Sequence, residues 1–252
     1  MECYTDFAYL YDRFMEDVPY EKWADLLSCL IKAYGENVKT VLDLGCGTGN
    51  MSLRLADMGY DVMGVDNSED MLSVASKKAY EADKEILFVN QDMRELELLE
   101  KQDCIISVCD CINYLILDED IEDTFKRVRQ CLANDGLFIF DFNTIYKYET
   151  VIGDTTIAEN REDCSFIWEN FYNTDDHTNE YDVTFFAKDG SIKGENLYRK
   201  FEETHIQRGY TLDEMKDFIK SSKLKFVTAL DEETRKEPTD TSERIYIVCR
   251  RG

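Results

Sequence analysis

Val38–Asn50 reads VKTVLDLGCGTGN, and this stretch decides the fold. Val41, Leu42 and Leu44 make a short apolar strand that carries Asp43 near its end. Glycines follow at 45, 47 and 49, and a helical pattern runs through Met51–Met58 with Gly59 as its cap. Glycine permits tight turning and close approach of a ligand to the backbone. Open parallel sheets bind ligands beyond the C-terminal ends of their strands. Both facts place a nucleotide-like cofactor against Gly45–Gly49.

The residues around those glycines separate two cofactor classes. A dinucleotide site uses G-x-G-x-x-G to set pyrophosphate on a helix N-terminus. Here the order is G-C-G-T-G-N, with the third glycine one residue early and Asn50 in its place. Asp43 puts a carboxylate before the loop, a poor neighbour for pyrophosphate and a good one for an amino group or other positive charge.

Outward from this loop the chain alternates between strand and helix. Asp61–Val65, Ile86–Val89, Cys104–Val108 and Leu137–Phe140 read as further strands. Asn67 with Asp70 is a candidate cap for a helix to about Ala82, and Asp118 opens another to about Leu132. Short apolar strands alternating with helices imply a parallel sheet covered on both faces. N-terminal to the loop, residues 5–34 read as helical, with Pro19 suited to a helix start.

The rhythm stops at Asp141. Ser165–Tyr172, Asn179–Phe186 and Asn196–Gln207 are half-polar, aromatic-rich stretches parted by turn residues, which predicts a small inserted antiparallel sheet. Thr211 and Glu214 then form a capping box. Lys225–Leu230 and Arg244–Cys249 are two last strands, a pair able to close the sheet as an antiparallel hairpin.

The segment Leu42–Gly49 resembles motif I of the class I S-adenosylmethionine-dependent methyltransferases, and the likeness continues through GYDVMGVDNSEDML and FVNQDMREL. It covers residues 38–140 most strongly. The resemblance implies an α/β methyltransferase fold: a seven-stranded, mostly parallel Rossmann-like sheet with a small antiparallel sheet inserted. It implies S-adenosyl-L-methionine as cofactor and methyl transfer to a small-molecule acceptor by direct in-line attack. Asp66 would then hold the ribose hydroxyls, Asp92 the adenine amino group, and Met93 the ring. Asn67 beside Asp66, Cys46 within the loop, and Asp110 after the fourth strand complete the expected cofactor contacts with Asp43, Gly45, Gly47 and Gly49.

Three regions are candidates for the acceptor pocket. The tyrosine-rich leader resembles the N-terminal lid of small-molecule methyltransferases, with Tyr11 as a cofactor or lid contact and Tyr4 and Tyr20 behind it. Asp141 and Asn143 leave the fifth strand, where they are able to orient a polar acceptor or to cap a turn. His205 and Arg208 lie where the insert rejoins the core, His205 as a pocket or proton-transfer group and Arg208 as a carboxylate ligand or an ion-pair partner. Asp110, Asn113 and His205 are the expected catalytic positions. The resulting division is an N-terminal helical lid (1–34), a cofactor-binding core (35–141 and 209–252) and an insert covering the substrate (142–208).

Composition narrows the partners. The 53 acidic and 29 basic residues leave a net charge of −24, which disfavours nucleic acid and anionic membrane. No apolar run reaches the roughly 18 residues of a membrane span, and the leader lacks a signal-peptide pattern, so a cytoplasmic monomer or homodimer is expected. The nine cysteines are odd in number and show no disulfide framework. Cys109 and Cys111 make a C-x-C pair without a second pair or nearby histidine, so no metal is expected. Two alternatives to methyl transfer stay open at this level: a NAD(P)-dependent oxidoreductase, and a non-catalytic module that binds an adenosyl cofactor.

Overall fold

The computed structural model describes residues 11–12, 15, 18–192 and 195–252. The leader positions Tyr4, Phe7, Tyr9 and Phe14 lie outside the described residues. The first long helix, α1, spans Tyr20–Tyr34, directly after Pro19 at its N-cap. Then follow β1 (Thr40–Leu44), α2 (Asn50–Asp57), β2 (Asp61–Asp66), α3 (Glu69–Glu81), β3 (Leu87–Asn90), β4 (Gln102–Ser107), α4 (Asp118–Cys131) and β5 (Leu132–Asn143).

Seven strands form one sheet in the order β10-β11-β5-β4-β1-β2-β3, with β10 (Leu224–Asp231) and β11 (Arg244–Arg251) coming last in the chain. Strand β11 runs antiparallel to both β5 and β10; the β1–β2, β1–β4, β2–β3 and β4–β5 pairs are all parallel. Strand order reverses between β1 and β4, and this switch point lies beside the glycine loop.

Alternate residues of each central strand feed opposite cores, which is why these strands are apolar throughout. Val41, Ile106, Ile139 and Val248 pack with Trp23, Leu27 and Ile31 of α1 and Leu55 of α2. Leu42, Ile105, Phe138 and Phe140 pack with Phe125 and Val128 of α4 and with Met215 of α5 (Leu212–Ser221). Phe125, Phe138 and Phe140 are fully buried, each contributing about 1.5–3 kcal/mol of transfer free energy.

The insert is a four-stranded antiparallel sheet in the order β6-β7-β8-β9, with ranges Thr156–Asn160, Cys164–Asn173, Thr178–Ile192 and Glu195–Arg208. The sequence reading anticipates three of these strands. It misses β6, because TIAEN is exposed at every position and carries no apolar alternation. Two smaller differences also have local causes. Ser68, not Asn67, caps α3 by accepting the Met71 N–H at 3.3 Å. Strand β5 begins at Leu132, five residues early, because the Asn134–Gly136 turn is absorbed as an irregularity in the β4–β5 pairing. The Thr211–Glu214 capping box at the start of α5 is present in both directions.

Candidate active site

The glycine loop is built by backbone bonds from the neighbouring strand. Gly45 and Cys46 N–H both donate to Val65 O, at 2.7 and 3.0 Å. Gly47 N–H donates to Asp66 Oδ2 at 2.8 Å, and Ser68 N–H donates to Asp66 Oδ1 at 2.9 Å. Each carboxylate oxygen of Asp66 therefore spends one acceptor site on the backbone and keeps another, enough to receive both hydroxyls of a ribose. Gly45, Gly47 and Gly49 all have positive φ. A Cβ at Gly47 would meet no protein atom within 4 Å, so the loop presents open space to a ligand there. A Cβ at Gly49 would instead meet Ala75 at 3.0 Å, so this glycine serves helix packing.

Asp43 is almost fully buried and accepts a 2.6 Å hydrogen bond from Ser52 Oγ. Burial outweighs that bond and pushes its carboxyl up to about 6. Asp66 is also raised, by burial first, against the backbone N–H groups that favour its charge. Asp92 shows the opposite behaviour. Arg94 grips both its oxygens, with Nη2 at 2.6 Å from Oδ2, and holds its carboxyl below the usual range.

A cavity of about 840 Å³ runs from this loop to the insert. Ten of the expected cofactor residues line it: Tyr11, Asp43, Gly45, Cys46, Gly47, Asp66, Asn67, Asp92, Met93 and Asp110. The far wall is the inner face of the insert, with Phe166 and Trp168 from β7, Tyr181, Val183 and Phe185 from β8, and His205 from β9. These residues share a face because strand side chains alternate and Tyr181 sits opposite His205 in the β8–β9 register.

His205 joins the core through a tyrosine. Tyr114 Oη lies 3.2 Å from His205 Nδ1 and 2.9 Å from Tyr181 Oη. The Tyr181 and His205 rings stack with centroids 5.0 Å apart. Burial pushes the imidazole below its ordinary range, opposed by the negative field of Asp110. The Cys109 and Cys111 thiols, also on the wall, are pushed up by burial and stay protonated.

The other expected acceptor residues stand behind the wall. Asn113 is fully buried; its amide donates to Asn143 O and Arg208 O at 2.9 and 2.7 Å and accepts from Asn143 N–H at 2.8 Å. It is a clamp between β5 and β9 and does not line this cavity. Asp141 is fully buried, accepting the Cys109 and Asp110 N–H groups and an Arg244 guanidinium N–H. Asn143 binds Tyr148 Oη and Lys147 Nζ. Arg208 points away from the cavity and pairs with Asp118 and Glu214. Asn113 and Arg208 are held by partners far along the chain, Asp141 by the turn after β4 and by β11, and Asn143 by its near neighbours Lys147 and Tyr148.

Several lining and supporting groups escape the sequence reading. Asp12 reaches the end of the glycine loop, accepting from Thr48 Oγ1 at 2.5 Å, Asn50 Nδ2 at 2.9 Å and Lys78 Nζ at 2.8 Å. Arg244 bridges Asp110 and Asp141, and Gln207 donates to Asp110 Oδ2 at 2.8 Å. Asp12 carries the only legible hint, an acid next to Tyr11; the others depend on contacts that no local pattern announces. Among the described residues, no group of three or more histidine, cysteine or acidic side chains is arranged to hold a metal ion.

Fold and site together define a Rossmann-like enzyme whose cofactor cradle suits an adenosyl group rather than a pyrophosphate. The methyltransferase domain family matches residues 41–136. A putative methyltransferase of Geobacillus sp. (strain WCH70) is 35% identical over 249 residues, 98% of this chain and 99% of the relative. The crystal structure of an S-adenosylmethionine-dependent methyltransferase from Clostridium acetobutylicum ATCC 824 superposes with a TM-score of 0.88 at 30% identity, covering 100% of both chains. The S-adenosylmethionine-bound structure of CalS10, an amino pentose methyltransferase from Micromonospora echinaspora, shares the fold at a TM-score of 0.76 and 16% identity, over 97% of this chain and 96% of that one. The chain belongs to the class I S-adenosylmethionine-dependent methyltransferases. It is a methyl-transferring enzyme with S-adenosylmethionine as cofactor, and the oxidoreductase and non-catalytic readings give way to that membership. No helix of the described residues is long and apolar enough to cross a membrane.

Proposed function

We propose that the acceptor is a small molecule seated between the Cys109–Leu115 segment and the inner face of the insert. The observation that carries this is the continuity of one cavity from Gly45–Gly47 to Trp168, Tyr181 and His205. A cover of β-sheet over that end suits a compact acceptor better than a polymer. The eight described cysteines are free thiols, which supports a reducing, cytoplasmic setting.

Asp66 would hold the ribose hydroxyls with its two remaining acceptor sites, and Asp92 the adenine amino group beside the Met93 side chain. Asp43 would face the amino end of the methionine moiety, where positive charge offsets the cost of a buried carboxylate. The bound cofactor supplies a sulfonium methyl already activated for attack, so the protein's task is orientation more than acid–base chemistry. The insert would exclude water from the acceptor end. His205 is the one expected catalytic group on that wall with a free ring position. In the tautomer that donates Nδ1–H to Tyr114, Nε2 keeps a lone pair and accepts the proton the acceptor loses.

The test is transfer from methyl-labelled S-adenosylmethionine into a fractionated metabolite extract, followed by product identification. A labelled small molecule is expected. Label appearing only in protein or nucleic acid would overturn the small-molecule reading.

A further inference from the structure

Resting on that reading of the acceptor site, we propose that the acceptor is an amine, recognised as its ammonium cation by the aromatic row of the insert. Three observations carry this. First, Trp168, Tyr181 and His205 form a continuous row of rings on the inner face, with Trp168 and Tyr181 centroids 5.3 Å apart and Tyr181 and His205 5.0 Å apart. Tyr114 closes the row from the core side, its ring 5.8 Å from His205 and edge-on. Ring faces attract cations, most strongly at tryptophan and when water is excluded.

Second, the described walls of the cavity carry no arginine or lysine without an acidic partner. Arg94 and Arg244 are the only arginines or lysines on its walls among the described residues. Arg94 is held by Asp92 and Asp120, and Arg244 by Asp110 and Asp141. Arg208, the arginine best placed in the sequence to receive a carboxylate, lies outside the cavity in its own ion pairs. Third, four carboxylates (Asp43, Asp66, Asp92 and Asp110) line the walls, against only two guanidinium groups among the described residues. With a chain charge of −24 behind it, the field in this cleft draws cations and repels anions.

Three ligands of one shape and different charge test this: choline, 3,3-dimethylbutan-1-ol and 3,3-dimethylbutanoate. Each is titrated into the intact protein saturated with S-adenosylhomocysteine. Choline is expected to bind about tenfold more tightly than the neutral alcohol, a gap of about 1.4 kcal/mol, and the carboxylate least tightly of the three. Trp168→Leu is expected to erase most of the choline preference while leaving S-adenosylhomocysteine affinity unchanged. Equal or tighter binding of the alcohol or the carboxylate, or no choline binding by protein that holds S-adenosylhomocysteine, overturns the proposal. Methyl transfer from labelled cofactor that reaches only protein or nucleic acid overturns the small-molecule reading beneath it, so the two failures are distinguishable.

Discussion

Arg244 donates from Nη1 to Asp141 Oδ2 at 3.0 Å, joining the start of antiparallel β11 to the end of parallel β5. Asp141 has no exposed surface, and Arg244 keeps only 11% of its side chain exposed. The same carboxylate accepts the N–H groups of Cys109 and Asp110, whose φ values of 62° and 54° are unusual for residues with a side chain. Asp141 thus fixes the bend that carries Asp110 into the cavity, and Arg244 neutralises it. Arg244→Leu leaves a buried carboxylate uncompensated and is expected to cost about 3–5 kcal/mol in urea unfolding. Asp141→Asn added to Arg244→Leu is expected to recover part of that loss. A single replacement costing less than about 1 kcal/mol would show the pair to be solvated.

Gly45 and Gly47 separate folding from binding. An added Cβ at Gly45, where φ is +83°, falls 2.6 Å from Cys111 Sγ. Gly45→Ala is expected to lose about 2–4 kcal/mol of stability through strain and overpacking. At Gly47 the same methyl meets no protein atom within 4 Å, so only its left-handed backbone, about 1 kcal/mol, opposes Gly47→Ala. Its effect is expected in the cofactor: calorimetric affinity for S-adenosylhomocysteine falls about tenfold or more, with a nearly unchanged melting temperature. Equal cofactor affinity in Gly47→Ala would remove this loop from the site.

The cofactor half of the site was legible because it is written locally. Asp43, Asp66 and Asp92 each sit at or just beyond the end of a strand, and strand ends are visible as breaks in apolar runs. The proposed acceptor half is made by contacts across the fold. Gln207 reaches Asp110 over 97 residues, and Arg244 reaches it over 134. Asn113 illustrates the limit. Its position after β4 points to the cavity, yet two carbonyls and an N–H from β5 and β9 draw its amide into the seam. A buried amide that satisfies three partners is worth more there than exposed to a ligand. The parallel sheet is readable from its short apolar strands, whereas β6, exposed throughout and held to β7 chiefly by backbone pairing, has no apolar pattern to read.

Asp43 gives a pH signature. Its folded carboxyl titrates near 6 and its ordinary value is 3.8. The native state therefore binds more protons than the unfolded state between about pH 4 and 6, and stability falls as pH rises through that window. The gap between those two values corresponds to about 3 kcal/mol. Asp43→Asn still accepts from Ser52 Oγ but does not titrate. The difference in unfolding free energy between the native chain and this variant is expected to shift by about 3 kcal/mol toward the variant from pH 4 to 7. A constant difference across that range would mean that Asp43 stays charged.

His205 faces Tyr181 from β8, Tyr114 from the turn after β4, and the carboxylate of Asp110. Burial holds its imidazole below the ordinary 6.5, so it is neutral and able to accept a proton at neutral pH. If it takes the acceptor's proton, kcat/KM falls on the acid side with an inflection below 6.5, as the ring gains a proton it must lack to act. His205→Gln is expected to lower kcat about 10²–10³-fold and to abolish that acid limb, with S-adenosylhomocysteine affinity unchanged. Tyr114→Phe removes the hydrogen bond to Nδ1 but not the base, so the limb survives with a shifted midpoint and a loss of about tenfold. These two outcomes separate proton transfer from wall-building. A His205→Gln enzyme that keeps the acid limb makes His205 part of the wall, leaving the proton to water. A limb lost equally in Tyr114→Phe makes the phenol, rather than the imidazole, the group that must stay aligned.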